Sequence, residues 1–129
     1  MEINELTERI IGAGIEVHRH LGPGLAEGSY EVALTMELTA RELRWSRQAG
    51  FPVIYKGRVV GRHRPDLIVE GQVVVEVKAV ERLARVHTAQ VLTYLQVTGC
   101  ELGLILNFGA AVLKDGISRV VLQRGKKTL

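Results

Sequence analysis

The sequence holds a single cysteine and no apolar run long enough to cross a bilayer. Cys100 cannot form an internal disulfide, and its apolar surroundings favour a small core residue over a reactive thiol. The opening MEINELTERIIG lacks the basic and apolar regions of a secretory signal. We therefore expect a cytoplasmic protein without a membrane partner.

Internal repeats, linkers and low-complexity segments are also absent, and 47% of the 129 residues are apolar while 24% are charged. Such a chain is typical of one domain that buries its own core. We predict a single domain over 1–124 and a basic C-terminal tail at 125–129. The net charge is +3 and arginine supplies most of the positive side chains. Arginine suits phosphate, but a solvated surface explains the same charge, which therefore only permits a nucleic-acid partner.

Hydrophobic spacing predicts three helices, at about 3–20, Leu25–Leu43 and Ala84–Thr98, with the third ending at Gly99. On the second helix, Glu31 and the other charged residues are expected to point mostly outward. A period of two predicts a meander of three antiparallel strands, followed after the third helix by two further strands. The corresponding segments are FPVIYKG, RVVGRHRPDLIVEG, QVVVEVKAV, ELGLILNFG and ISRVVLQ.

The run HRPDLIVEGQVVVEVKAV at 63–80 carries charges in otherwise apolar strands. Side chains alternate across a strand, so Glu76 and Lys78 share a face on which an unpaired charge would be costly. A three-residue turn after Val69 would bring Asp66 opposite Glu76 on that face. Two carboxylates roughly 5 Å apart repel each other unless a proton or a cation lies between them.

Carboxylate oxygens of Asp66 and Glu76, supplemented by the Val77 carbonyl, suit Mg²⁺ or Mn²⁺ better than zinc. Such an ion polarises a phosphoryl group and makes hydroxide available, while the Lys78 ammonium orients the water or offsets developing charge. The pattern thus indicates phosphodiester hydrolysis. A cross-strand ion pair or an exposed sheet face would explain the same residues without chemistry.

The helices add polar residues that could border the same cleft. His87, Gln90 and Tyr94 share one side of the third helix, although a capped or surface histidine and a core tyrosine are the simpler explanations. Glu27 and Tyr30 lie just after a glycine-rich turn. Glu27 either favours the positive end of its helix or supplies a third carboxylate for the metal.

The segment GLAEGSY contains the G-x-x-E-x-x-Y signature of the GxxExxY proteins, a branch of the PD-(D/E)XK nuclease superfamily, and the whole sequence resembles that family. The resemblance covers nearly the whole chain in ordered blocks, which are more specific together than any one alone. These blocks are EVHRHLGPGL, GLAEGSY, YKGRVVG, RPDLIVE, VVVEVKAVE, VHTAQVLTYL and NFGA.

The resemblance implies an α/β fold with a restriction-endonuclease-like core, in which helices flank a central mixed β-sheet. It also implies that Asp66, Glu76 and the helix-borne Glu27 surround the metal and that Lys78 assists the water. Gln90 and Tyr94 resemble the Q-x-x-x-Y element of RecB-like branches. The residues expected to bind nucleic acid or to organise the site are Gln90, Tyr94, Tyr30, His87 and Arg64.

One departure from the family pattern is Pro65, which stands where a small non-proline residue is expected and predicts an edge or a bulge beside Asp66. The leading hypothesis is a Mg²⁺- or Mn²⁺-dependent nuclease that acts on DNA rather than RNA, in repair, mobile-element or defence processes. The alternative is a catalytically silent module for nucleic-acid binding or assembly. A third hypothesis is a structural partner domain that forms a homodimer and binds neither DNA nor metal.

Overall fold

The computed structural model describes residues 1–123, so the predicted tail at 125–129 lies outside the described residues. Helix α1 spans Ile3–Leu21. It begins there because the Glu2 carboxylate accepts the main-chain N–H groups of Asn4 and Glu5, and it ends at Gly22, whose φ is 66°. Its apolar stripe packs inward, as the three- and four-residue spacing predicts.

Helix α2 spans Glu27–Ala40, shorter at both ends than predicted. The turn before it contains Gly24 at a φ of 108°, and Ala26 is the N-cap. The helix cannot continue beyond its C-cap because Glu42 adopts a left-handed φ of 59°. Helix α3 spans Arg85–Thr98 and ends at the left-handed Gly99, as predicted.

Within residues 1–123, seven strands form two separate sheets. The strands are β1 (Trp45–Arg47), β2 (Phe51–Tyr55), β3 (Arg58–His63), β4 (Leu67–Val69), β5 (Val73–Lys78), β6 (Leu102–Asn107) and β7 (Ile117–Val121). The main sheet has the order β1-β4-β5-β6-β7, and a 3₁₀ turn at Leu113–Gly116 precedes its last strand. Among the strands that the structure describes, only the β5–β6 pair is parallel, because α3 provides the crossover between these two strands.

The predicted meander of three consecutive strands is wrong. The segment RVVGRHRPDLIVEG divides into β3 and β4, and β3 pairs only with β2 in a two-stranded sheet. Pro65 explains the break, because proline has no N–H for a ladder and restricts the residue before it. Strand β4 instead pairs with β5 and with β1, a short strand that the sequence pattern did not predict.

Helices cover both faces of the main sheet. The α1–α2 face contains one core, in which Ile10 and Leu34 meet Val75. The α3 face contains a second core, in which Leu95 meets Val74 and other buried residues. The predicted α/β fold with a central mixed sheet flanked by helices is therefore confirmed. No helix within 1–123 is long and apolar enough to span a membrane.

Candidate active site

The predicted register of β4 and β5 is observed. Val69 pairs with Val73 and Leu67 pairs with Val75, so the next step along both strands places Asp66 beside Glu76. The turn between the strands allows this pairing because Glu70 and Gly71 both adopt positive φ, at 52° and 65°. Asp66 lies just outside β4, where the ladder has ended and strand β5 continues.

Two main-chain N–H groups orient the carboxylates of Asp66 and Glu76. The Asp66 N–H donates to Glu76 Oε1 at 2.8 Å, and the Val77 N–H donates to Asp66 Oδ2 at 2.8 Å. Each carboxylate therefore uses one oxygen for the main chain. The second oxygen of Glu76 lies 4.0 Å from the Lys78 ammonium nitrogen. Asp66, Glu76 and Lys78 thus converge at the end of β5.

Burial makes the charged forms of both carboxylates unfavourable. Desolvation, and then the charges of Asp66 and Glu31, raise the pKa of Glu76 to about 8, although the Lys78 ammonium opposes this shift. Desolvation also raises the pKa of Asp66 to about 6, with a further rise from Glu31, against the hydrogen bond from the Val77 N–H. A buried and a half-buried carboxylate that resist ionisation together form a site at which a cation is favourable.

Glu31 is the acidic residue that the sequence pattern misplaced. We expected it to point outward from α2, but its side chain is buried and raises the pKa of both Asp66 and Glu76. Its Oε1 accepts from Arg47 Nε at 2.8 Å and from Gln48 Nε2 at 3.3 Å. Tertiary pairing with the segment around β1 compensates the buried charge, and the helical pattern of α2 cannot reveal that partner.

Glu27 lies in the first turn of α2 and is exposed. Its charge has the smallest of the effects that raise the pKa of Asp66, smaller than that of Glu31. Within the described chain, no group of three or more His, Cys, Asp or Glu residues is arranged to hold a metal ion. The expected ligand set that includes Glu27 as a third carboxylate is therefore not formed in this part of the chain.

Asp66, Glu76 and Val77 nevertheless provide oxygen atoms that fit a hard divalent cation. The N–H and C=O of one strand residue point to the same neighbouring strand, so the Val77 carbonyl points to the edge at which Asp66 accepts the Val77 N–H. Mg²⁺ binds through one or two carboxylates and keeps several water ligands. Two carboxylates, one carbonyl and water meet that requirement.

Tyr94 and Gln90 border the carboxylates from α3. The Gln90 amide donates to the Tyr94 hydroxyl oxygen at 2.8 Å, and the Tyr94 ring meets the His63 ring edge-on at 5.8 Å. Burial, followed by the charges of Glu76 and Asp66, raises the pKa of Tyr94 to about 12. The Tyr94 hydroxyl thus stays protonated at neutral pH beside the acidic pair.

His87 has a different role from Gln90 and Tyr94, which lie on the same side of α3. The His87 ring atom Nδ1 accepts the main-chain N–H of Ala84 at 3.0 Å, and the main-chain N–H of His87 donates to the Ala84 carbonyl at 3.0 Å. His87 is thus the capped histidine of the simpler explanation. These contacts satisfy the N-terminus of α3.

Tyr30 belongs to the core. Its ring is fully buried and stacks on Phe108 at 4.6 Å. Its hydroxyl donates to the Gly22 carbonyl and accepts the Leu25 N–H at 3.1 Å. The tyrosine of the G-x-x-E-x-x-Y segment therefore fixes the glycine-rich turn against the sheet.

Arg64 lies at the exit of β3, two residues before Asp66, and its side chain is exposed. An added Cβ on Gly50 would lie 3.8 Å from Arg62 Cδ and 4.0 Å from Arg64 Nε, so both arginine side chains pass the same point. Neither arginine forms an ion pair with a residue that the structure describes. Two guanidinium groups without an acidic partner in that part of the chain therefore lie together near the exit of β3, shortly before Asp66 in the sequence.

Residues 4–120 match the family model of the PD-(D/E)XK nuclease superfamily, whose members generally use divalent metal ions and act on nucleic acids. No curated protein and no solved structure matches the chain. The matched region contains α1 from its second residue onward, the whole of α2 and α3, the whole β4–β5 pair and the Asp66, Glu76 and Lys78 side chains. Since the match spans most of the chain and the mixed sheet agrees with it, the protein belongs to the PD-(D/E)XK nuclease superfamily.

Proposed function

We propose that this protein is a Mg²⁺- or Mn²⁺-dependent nuclease that hydrolyses phosphodiester bonds, with Asp66 and Glu76 as the metal-binding carboxylates. The observation that supports the proposal is the convergence of the buried Glu76 and the half-buried Asp66 carboxylates with Lys78 at the end of β5. A like-charged pair that is largely removed from solvent lowers the stability of the fold unless a cation compensates it. Function is the natural reason to retain such a pair.

The bound metal would supply Lewis acidity toward the phosphoryl oxygen and a hydroxide near neutral pH. Asp66 and Glu76 would hold it together with the Val77 carbonyl. The Lys78 ammonium lies next to the acidic pair, where it offsets negative charge that develops on the phosphate oxygens. Gln90 and Tyr94 act as positioning residues, because their mutual hydrogen bond fixes the polar wall opposite the carboxylates.

DNA is the proposed substrate rather than RNA, and repair, mobile-element or defence processes are the proposed context. We assign the chain to the GxxExxY branch on its ordered sequence blocks, with residues 1–124 as one cytoplasmic domain. Glu27 remains a candidate acidic residue at the rim of the site because it is exposed in the first turn of α2. Glu31 is the stronger helix-borne candidate, since its charge acts on both carboxylates.

The test uses single-stranded, duplex and branched DNA, and matched RNA, with Mn²⁺, Mg²⁺ or EDTA. Cleavage is expected only with metal, and Asp66→Asn, Glu76→Gln and Lys78→Ala should each lower its rate by at least about a hundredfold. Glu8→Gln, an exposed change on α1, is the matched control and should cut at the wild-type rate. Cleavage that survives Glu76→Gln would arise from a contaminating nuclease.

A catalytically silent nucleic-acid-binding module is the second candidate. It is favoured because, within residues 1–123, no group of three or more His, Cys, Asp or Glu residues is arranged to hold a metal ion. Such a module would bind DNA with strong salt dependence and would give no metal-dependent heat. Calorimetry with Mn²⁺ on the wild type and on Asp66→Asn separates the two candidates, because only the nuclease predicts heat that the substitution removes.

A further inference from the structure

The hairpin formed by β2 and β3 stands apart from the main sheet. Its residues pair only with each other, from Phe51 with His63 to Tyr55 with Arg58. The five paired positions correspond to a length of roughly 17 Å. The apolar side chains near its tip are more than half exposed, so no other part of the described chain covers them. These residues are Ile54, Tyr55, Val59 and Val60.

The hairpin carries positive charge alone. The segment 50–65 contains four basic side chains and no aspartate or glutamate. The four are Lys56, Arg58, Arg62 and Arg64. None of them forms an ion pair with a residue in the described range 1–123, whereas Arg9, Arg19 and Arg41 on the helices each pair with a glutamate. The hairpin is therefore a strip of positive charge that no acidic side chain in that range neutralises.

The base of the hairpin adjoins the acidic pair. His63, at the end of β3, contacts the Tyr94 ring, and Asp66 follows three residues later. Arg62 and Arg64 lie together over Gly50 at this end. At the other end, the exposed Tyr55 ring has the Lys56 ammonium 5.4 Å from its centre. Positive charge thus runs from the tip to the site at which a phosphodiester would react.

We propose that the β2–β3 hairpin is the arm that binds the nucleic-acid backbone, with its arginines on successive phosphates and Tyr55 stacked on an unpaired base. The ligand chemistry follows from charge complementarity, since phosphate is the polyanion that guanidinium groups bind best. An arm of this length covers roughly five base-pair steps of duplex. The inference rests on the proposed function in taking nucleic acid as the ligand, but it does not require cleavage.

The test measures binding without turnover. Fluorescein-labelled 20-nucleotide single strands and duplexes are titrated with Asp66→Asn protein in EDTA, from 50 to 300 mM KCl. The affinity for duplex falls as salt rises, and the steepness of log affinity against log salt reports how many phosphates are neutralised. Replacing Arg58, Arg62 and Arg64 by Gln should make this slope less steep by about 0.9 for each phosphate that the protein no longer neutralises. The matched control replaces Arg9, Arg19 and Arg41 by Gln, which removes the same charge from the helices and should leave the slope unchanged.

The tip gives a second measurement that does not depend on net charge. Tyr55→Ala should weaken single-strand binding about fivefold or more, whereas Tyr55→Phe keeps the ring and should bind as the parent does. The proposal would be wrong if the two triple-arginine variants changed the salt slope equally. It would also be wrong if Tyr55→Ala bound single strands as tightly as the parent does. A third contradicting outcome is that the variant with Arg58, Arg62 and Arg64 replaced by Gln sediments differently but keeps the parent's salt slope. The hairpin would then contact a second copy of the chain instead of nucleic acid.

Failure of the arm and failure of the nuclease are distinguishable. If the wild type binds through the hairpin but cuts no substrate with Mn²⁺, the arm stands and the proposed catalysis fails. If the variant with Arg58, Arg62 and Arg64 replaced by Gln cuts DNA as fast as the wild type at subsaturating substrate, the proposed nuclease activity is retained and the proposed role of the hairpin is wrong.

Discussion

At the scale of single residues, Asp66 and Glu76 show a conflict between stability and chemistry. Both are held by main-chain N–H groups, yet burial raises both pKa values, and the charge of Asp66 raises that of Glu76 further. Their ionised forms are therefore costly in the folded protein unless a cation neutralises them. This cost should be visible both in a substitution and in the pH dependence of stability.

Glu76→Gln should make the metal-free protein more stable at pH 9 while removing metal binding. The amide keeps an oxygen that accepts the Asp66 N–H but removes the buried charge of Glu76 that lies beside the Asp66 carboxylate. Each unit of pKa shift corresponds to about 1.4 kcal/mol and the pKa of Glu76 is raised by several units, so a gain of at least about 1 kcal/mol is expected in urea unfolding. Mn²⁺ at a hundredfold excess over its Kd should stabilise the wild type by about 2.7 kcal/mol and Glu76→Gln not at all. A variant less stable than the wild type at pH 9 would contradict this account.

The stability of the metal-free protein should fall as pH rises from about 4 to about 8. A carboxyl whose pKa is raised by folding binds its proton more tightly in the native state, so its stabilising effect is complete below the unfolded pKa. That effect is lost as the pH passes the folded pKa, about 6 for Asp66 and about 8 for Glu76. The measurement is the difference in unfolding free energy between the wild type and an Asp66→Asn, Glu76→Gln double variant. A difference that stays constant over this range would show that the pair is not strained.

At the scale of elements, aromatic contacts hold α1, α2 and the end of β6 together. Phe108 follows β6 and stacks on Tyr30 from α2 and on His18 from α1. His18 Nε2 lies 2.9 Å from the Ala110 carbonyl oxygen. Asn107, buried beside Phe108, accepts the Val80 N–H and donates to the Val80 carbonyl, which joins the ends of β5 and β6. The segments EVHRHLGPGL, GLAEGSY and NFGA therefore form one structural unit.

Tyr30→Phe should cost about 1–2 kcal/mol of stability without affecting the metal site. The substitution keeps the stacked ring but leaves the Gly22 carbonyl and the Leu25 N–H without their partner. Urea unfolding measures the loss, and calorimetry with Mn²⁺ should give the wild-type affinity. Tyr55→Phe, at an exposed tyrosine, is the matched control and should change stability by less than about 0.5 kcal/mol. If both variants were equally stable, Tyr30 would have no role in holding the turn.

At the scale of the whole molecule, the main sheet and the hairpin are separate hydrogen-bonded units. Strands β1 and β4 pair directly, so the hairpin is an insertion in their connection. The ends of that insertion are adjacent because Phe51 pairs with His63. The two-sided core of the main sheet does not include a residue of β2 or β3 among its buried members.

Replacing residues 52–62 by Asn-Gly should therefore leave a protein that still folds. Asn-Gly closes a tight turn between adjacent antiparallel ends. Thermal unfolding should remain cooperative, with a loss of about 1 kcal/mol or less because the hairpin buries little apolar surface against the main sheet. Mn²⁺ binding should persist, whereas salt-dependent DNA binding should fall to the level of the variant in which Arg58, Arg62 and Arg64 are replaced by Gln. An unfolded deletion variant would show that the hairpin supports the sheet.

The sequence by itself determined the features that depend on neighbouring residues. Gly99 ended α3 where predicted, and the spacing between Asp66 and Glu76 placed them side by side, because strand alternation and turn length are local properties. The family resemblance and the mixed sheet could likewise be predicted from the sequence, since ordered motifs and periodicity extend along the whole chain.

Only the tertiary structure decided which charges are buried and which strands pair. Glu31 turned inward because Arg47 and Gln48 approach it from another element, and a helical pattern contains no record of such a partner. The hairpin left the main sheet because Pro65 broke the strand and β1 took the free edge of β4. Long-range pairing is a competition between distant segments, so its outcome depends on the packed molecule rather than on any single stretch of sequence.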